Sequence, residues 1–589
     1  MKDFVKTMLA VICAFIVLRL LAFIFMIIMF AGALAGGSGA PLPKEGVLDL
    51  DMSKFVITEQ TRENPMPSIS GTSISMPDAQ IGLMDAIHGM EAAAADPGVK
   101  YILLRPEGAS IGLAQAEEFR NAISEFRRSG KPVIAWLESP ANGSYYLSTV
   151  ADKIYLSSYH GFSYQLIGLS SQMIFLKDIL DKVGVNVQLI RHGKYKSAGE
   201  MFIRNSASPE NREQNQVMIN SAWRTMTSAI SASRDISVED FNALVDGLSL
   251  SQPEDFLSAG LVDALMTRSE LVEKLCSLAG VEGEEKLKLI PFADYALAKV
   301  KPVIKPNVAV IYADGEIVDD DDLNNIAGDR FVREINKAAN DKSVKAVVLR
   351  VNSPGGSVSA SVKIRTALDS LQAHKPLVAS FGNYAASGGY WISNGCEKIF
   401  ADANTITGSI GVFSMIPEFS KVTKKVGVTF ETVGSNKHSD MFSLMRPFDK
   451  TELDCMQASV EDIYESFVNL VADGRKMATS AVDEIAQGRV WMGSDAIEIG
   501  LVDEMGTLQD AIVYAASLAG IGPDEIRAVA FPAPLTFAQQ LMETLGQGNS
   551  EPSILVGTPF EGMSKELNSV MAAQPGKPLA RLPYAYEFR

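Results

Sequence analysis

With 589 residues and 47% hydrophobic content, the chain is long enough for several domains with sizeable cores. A formal net charge of −17 with no basic stripe excludes nucleic acid as a partner, because phosphate contacts need clustered Lys and Arg. Four cysteines (Cys13, Cys276, Cys396, Cys455) lack metal-ligand spacing, so neither a disulfide framework nor a structural zinc site is expected.

From Met8 to Ala35 the chain is apolar except for Arg19, longer than the roughly 20 residues a bilayer-spanning helix needs. Lys2 and Lys6 precede this run and no basic cluster follows it. That asymmetry predicts a single-pass anchor over residues 1–37, its N-terminus cytoplasmic and the bulk of the chain outside. Ala33-Leu34-Ala35 resembles a signal-peptidase site, but the length of the run favours an uncleaved anchor. Arg19 is expected to snorkel or to face a neighbouring helix. Gly36 to Pro43 reads as a flexible tether.

Two copies of one unit follow, expected over 38–290 and 291–525, with a tail over 526–589. Val99-Lys100-Tyr101-Ile102-Leu103-Leu104-Arg105 answers Val344-Lys345-Ala346-Val347-Val348-Leu349-Arg350 at an offset of 245 positions. Lys131-Pro132-Val133 answers Lys375-Pro376-Leu377, and Gly260-Leu261-Val262-Asp263 answers Gly500-Leu501-Val502-Asp503. So long an offset indicates a duplicated domain rather than a solenoid. In the second copy, Val308–Tyr312, Ala346–Leu349 and Pro376–Phe381 are predicted strands, and Val358–Ala373 carries helical spacing. Such alternation predicts α/β units on a largely parallel sheet.

The copies differ where chemistry would sit. Ser387, in Tyr384-Ala385-Ala386-Ser387-Gly388-Gly389-Tyr390, faces Asn142 of the first copy. Lys196, in Gly193-Lys194-Tyr195-Lys196-Ser197, faces Ser439 of the second. One composite site per chain would remain if each copy had lost one of two reactive residues. Ser387 can be a nucleophile set among small residues, or merely the cap of the helix that follows. Gly355 and Gly356, in Asn352-Ser353-Pro354-Gly355-Gly356-Ser357, can present N–H groups to an oxyanion, or form an ordinary strand-to-helix turn. The first copy has Gly108-Ala109-Ser110-Ile111 there.

A serine nucleophile needs a base. None of His88, His160, His192, His374 and His438 stands in a triad context. Lys196 is the competing candidate, provided burial depresses its pKa; most lysines are solvated surface charges. Lys194 would share its face in an extended segment, so spacing does not choose between them.

Arg350-Val351-Asn352-Ser353-Pro354-Gly355-Gly356-Ser357, Ala385-Ala386-Ser387-Gly388-Gly389-Tyr390-Trp391-Ile392, Thr407-Gly408-Ser409-Ile410-Gly411-Val412 and Gly193-Lys194-Tyr195-Lys196-Ser197-Ala198 together resemble the bacterial signal peptide peptidase A family. The likeness is to its long, two-repeat, membrane-anchored form and covers nearly the whole chain. It implies two tandem ClpP/crotonase-like domains and a serine endopeptidase with a Ser/Lys dyad that needs no metal or cofactor. Carried over, Ser387 is the nucleophile, Lys196 the general base, Gly355 and Gly356 the oxyanion turn, and Ser409 a hydroxyl that orients the lysine. The resemblance further implies apolar peptide substrates such as cleaved signal peptides, a homotetramer, and a position on the periplasmic side of the inner membrane. Glu200-Met201-Phe202 departs from the expected Glu-Pro-Phe run, which bears on loop geometry rather than chemistry. Two rivals stand beside this reading: a crotonase-like acyl-CoA enzyme, which would tolerate loss of Ser387, and a non-catalytic membrane scaffold of the same fold.

Overall fold

The computed structural model describes residues 42–61, 68–70, 73–75, 79–300, 303–320, 322, 324–533 and 577–582. The expected anchor over 1–37 lies outside them. No helix among the described residues is long and apolar enough to cross a membrane.

The duplication is explicit in the strand order. In the first copy a parallel sheet runs Ala264–Met266, Lys153–Ser157, Val133–Leu137, Val99–Arg105, Gly46–Asp51, Leu289–Pro291. The second copy repeats that order with Glu504–Met505, Ile399–Ala401, Leu377–Ala386, Ala346–Ser353, Val308–Asp314 and Ala528–Phe531, again parallel. The central strands are buried nearly throughout, Ala346–Ser353 reading VVL at its centre, as a sheet covered on both faces requires. The helix Val358–Gln372 and the strand Leu377–Ala386 occupy the expected places, the strand continuing up to Ser387.

Two features depart from a simple tandem. The expected boundaries at 290 and 525 both fall short: Leu289–Pro291 completes the first sheet and the helix Phe292–Lys299 packs into the first core, while Ala528–Phe531 completes the second sheet along Val308–Asp314. In addition, Asn186–His192 of the first copy leaves its own sheet and pairs antiparallel with Val412–Glu418 of the second, from Val412↔His192 to Glu418↔Asn186. This exchange carries the residues after His192 onto the second copy.

A buried charge cluster locks the copies together. Arg350, 1% exposed, places Nε 2.8 Å from Glu59 Oε2 and Nη2 2.7 Å from Glu118 Oε1, both carboxylates coming from the first copy. Gln115 Nε2 donates to Glu59 at 2.9 Å and the Leu508 N–H to Glu118 at 3.0 Å. Nearby, burial and the Glu118 and Glu117 carboxylates push the Asp402 carboxyl well above its usual range. Asn383, four residues before Ser387, accepts through Oδ1 from the Ala114 and Gln115 N–H groups at 3.1 and 3.3 Å. The strand that ends in the candidate nucleophile is thus fastened to the start of the first copy's helix Leu113–Arg128.

Candidate active site

Ser387 stands at the junction of the strand Leu377–Ala386 and the helix Gly388–Ser393, with φ 55° and ψ −111° and no side-chain capping bond. A cap serine has extended backbone, so the capping alternative does not describe this residue. A left-handed φ at a non-glycine costs about 1–3 kcal/mol and persists only where the surroundings impose it. Here the Ser387 N–H donates to the Gly408 carbonyl and its own carbonyl accepts from the Trp391 N–H, both at 2.8 Å.

The strand exchange brings Lys196 to this turn. Its Nζ lies 2.9 Å from Ser387 Oγ, 3.0 Å from Ser409 Oγ and 3.1 Å from the Ser409 carbonyl oxygen. Both Lys196 and Ser387 are 0% exposed. The Phe413 ring centroid is 6.0 Å from the amine. With no carboxylate among its partners, burial drives the Lys196 pKa well below its ordinary 10.5. A neutral amine suits all three contacts: its lone pair can accept the Ser387 hydroxyl proton while its N–H groups donate to Ser409. Lys194, by contrast, is exposed, its ammonium 5.1 Å from the Tyr195 ring centroid. The geometry separates two lysines that spacing could not.

The lysine loop is held from behind. Arg191 Nη1 donates to the Lys196 carbonyl at 2.6 Å and to Glu200 Oε1 at 3.1 Å. Glu200, fully buried, accepts from the Ser208 N–H and Asn211 Nδ2, each at 3.1 Å. Gln214 Nε2 donates to the Tyr195 carbonyl and to Ser197 Oγ, again at 3.1 Å. The Met201 departure is absorbed by a short helix, Glu200–Ile203, in which Met201 and Phe202 pack beside Leu176.

Gly355 and Gly356 have φ of 96° and 154°. A Cβ on Gly355 would stand 2.1 Å from the Ala580 carbonyl oxygen and 2.6 Å from the Gly388 nitrogen; one on Gly356 would stand 2.0 Å from the Ile317 carbonyl oxygen. The Gly355 N–H donates to Ser353 Oγ at 3.2 Å. The Gly355 turn and the Gly388 nitrogen, which follows Ser387, therefore crowd one spot beside it. Sequence reading named the first and missed the second, and it missed Gly488 too. That residue, at φ 77°, packs so closely that a Cβ would lie 2.5 Å from Lys196 Cβ.

The first copy shows what the site becomes without chemistry. Asn142, at the position of Ser387, donates through Nδ2 to the Gly168 carbonyl at 2.9 Å and accepts from the Ile167 and Gly168 N–H groups at 3.2 Å, so it staples a loop. Ser439, facing Lys196 in the repeat, is exposed. Elsewhere among the described residues, His438, Asp449 and Glu452 gather ligand atoms within 4.8 Å. Arg446 already donates to both Glu452 oxygens at 2.7 Å, which makes this an ion-pair network.

The description Peptidase family S49 matches residues 125–282 and 369–522, one stretch in each copy. The chain is 36% identical to Protease 4 of Haemophilus influenzae over 519 residues, 85% of this chain and 83% of that protein. The chain belongs to peptidase family S49. Protease 4 of Salmonella typhi is 35% identical over 85% of this chain and 83% of its own, and the chloroplastic serine protease SPPA of Arabidopsis thaliana 29% identical over 81% and 70%. Among solved structures, a ClpP1 point mutant from Listeria monocytogenes aligns with 34% of this chain and 93% of its own at 14% identity and a TM-score of 0.24. Family membership makes the protein a serine protease built from two S49 repeats.

Proposed function

We propose that the chain is a Ser/Lys endopeptidase that degrades apolar, extended peptides, cleaved signal peptides among them, beside a membrane in which residues 1–37 anchor it. The observation that carries this reading is the Lys196 amine 2.9 Å from Ser387 Oγ, both fully buried. Lys196, neutral because it is desolvated, takes the Ser387 proton as the oxygen attacks a peptide carbonyl. The oxyanion forms beside the Gly355 turn and the Gly388 N–H. The lysine ammonium then gives its proton to the departing amine. Water, deprotonated by the regenerated neutral Lys196, hydrolyses the acyl-enzyme and restores the serine. Ser409, donating neither a charge nor a proton in this scheme, fixes the amine by its two oxygens. No metal or cofactor enters.

Support for an apolar environment comes from the surface. Ile179 shortly precedes the exchanged strand Asn186–His192, and Val426, Phe430 and Val433 (95% exposed) shortly follow its partner Val412–Glu418, each an exposed apolar side chain. Exposed apolar groups of this kind suit a protein or membrane contact, which accords with the proposed homotetramer on the periplasmic side of the inner membrane.

Hydrolysis of a fluorogenic apolar peptide by the detergent-solubilised chain tests the proposal. Ser387→Ala and Lys196→Ala are each expected to lose about a thousandfold or more of kcat while keeping the parent's circular dichroism. Full activity in Ser387→Ala would overturn the assignment.

A further inference from the structure

The groove beside Ser387 is already filled by the chain itself. The strand Leu579–Arg581 lies between Gly355–Ser357 and Val412–Glu418, antiparallel to both, with Gly355↔Arg581, Gly356↔Ala580, Ser357↔Leu579 and Phe413↔Leu579 opposed. The Leu582 N–H extends the ladder, donating to the Pro354 carbonyl at 2.8 Å. Ala580 is fully buried and Leu582 is 3% exposed, whereas Leu579 and Arg581, which alternate with them, are half-buried. Leu582 enters an apolar pocket made by Met218 and Ala222 of the first copy and by Ala386, Ile406, Val490 and Met492 of the second. Ala386 is the residue before Ser387. On the outer side the segment is pinned by Lys577 to Asp319 at 3.1 Å and Arg581 to Glu316 at 3.3 Å.

We propose that residues 577–582 are a resident pseudo-substrate that holds the peptide-binding groove of this enzyme in a self-occupied state; this rests on the peptidase reading of Ser387. A peptide bound by strand addition takes its affinity from main-chain hydrogen bonds and its specificity from pockets for alternate side chains. The segment meets both conditions, against the same Gly355 turn that crowds the nucleophile. Its pattern defines the ligand class as an extended peptide with a small residue two positions before an aliphatic one, as in Ala580-Arg581-Leu582. The Leu582 pocket is composite, so the two copies read the substrate together as well as sharing the dyad. The segment carbonyl that lies against the Gly355 turn and Gly388 is that of Ala580, 2.1 and 3.1 Å from where Cβ atoms on those glycines would stand, so the bond held there is Ala580–Arg581.

The test compares the full chain with Leu582→Asp, which puts a charge into the apolar pocket, and with the double variant Lys577→Glu/Arg581→Glu, which reverses the outer pins and leaves the pocket intact. Emptying the groove should lower KM for the fluorogenic peptide about fivefold at nearly unchanged kcat, since apparent affinity scales with the fraction of open groove. A fluorescein-labelled peptide of residues 576–582 should bind both variants more tightly than the parent by the same factor. Unchanged KM and unchanged peptide binding in both variants would overturn the proposal while leaving the peptidase reading intact. Tighter peptide binding by variants that, like the parent, hydrolyse nothing would support the groove and sink the peptidase reading. Mass mapping of the active parent should recover residues 576–589 joined; a Ser387-dependent terminus at Ala580 or Leu582 would refute the pseudo-substrate.

Discussion

Gly488→Ala tests whether the dyad depends on the close packing around the lysine. Gly488 has φ 77°, and an added Cβ would lie 2.5 Å from Lys196 Cβ, 2.6 Å from its nitrogen and 2.7 Å from its Cα. Ordinary contact begins at 3.4 Å, so the Lys196 backbone must retreat by close to an ångström. A misplacement of about 1 Å in a reacting group costs on the order of 10²-fold in rate. That corresponds to about 2.7 kcal/mol of transition-state stabilisation. Gly260→Ala is the matched control: its φ is 71° and nothing lies within 4 Å of its added Cβ. Both variants carry the left-handed penalty of about 1–2 kcal/mol, but only Gly488→Ala presses on the base. With the fluorogenic peptide, kcat should fall about a hundredfold in Gly488→Ala and stay near the parent in Gly260→Ala. A folded Gly488→Ala whose kcat matches the control would show that Lys196 is not held by this contact.

Lys196→Met should abolish hydrolysis yet raise the melting temperature at neutral pH, because the desolvated amine opposes folding wherever the unfolded chain would protonate it. The sign follows from its depressed pKa: between that value and 10.5 the unfolded state binds the extra proton, so parental stability climbs with pH, and Lys196→Met should lose that part of the slope in urea titrations. Activity should likewise rise with pH along a limb set well below 10.5, as the amine loses its proton; a limb at the ordinary lysine value would contradict the desolvated base. Arg350→Met leaves Glu59 and Glu118 buried without their cation and should destabilise the junction by roughly 3–5 kcal/mol in urea melts, with Glu59→Gln added to it restoring part of the loss. Asn142→Ser should create no second site: Ser387→Ala/Asn142→Ser is expected to be as inactive as Ser387→Ala, since the first copy has Ser110 and Ile111 where the second has its paired glycines.

Much of this architecture was legible in the sequence because it is local or periodic. The offset of 245 positions marks a duplication that reappears as one strand order in both sheets, and the apolar runs at Val308 and Ala346 are strands because buried parallel strands carry β-branched residues throughout. Ser387 and the Gly355-Gly356 turn stand out as short patterns of small residues that one copy has and the other lacks.

What the sequence left undecided depends on contacts between residues far apart in the chain, which periodicity does not encode. Lys194 and Lys196 are equivalent by spacing; only the exchange of Asn186–His192 onto the second copy buries one and exposes the other. Gly388 and Gly488 acquire meaning from what presses on them, and the tail expected after 525 supplies a sheet edge at Ala528–Phe531 and a groove-filling strand at Leu579–Arg581. The sequence by itself determined the duplication, the α/β class and the short patterns that make Ser387 and the Lys194–Lys196 pair candidates. The tertiary structure decided that Lys196 is the lysine that meets Ser387, and that it meets it dry, because desolvation is a property of the packed interior that no single segment possesses.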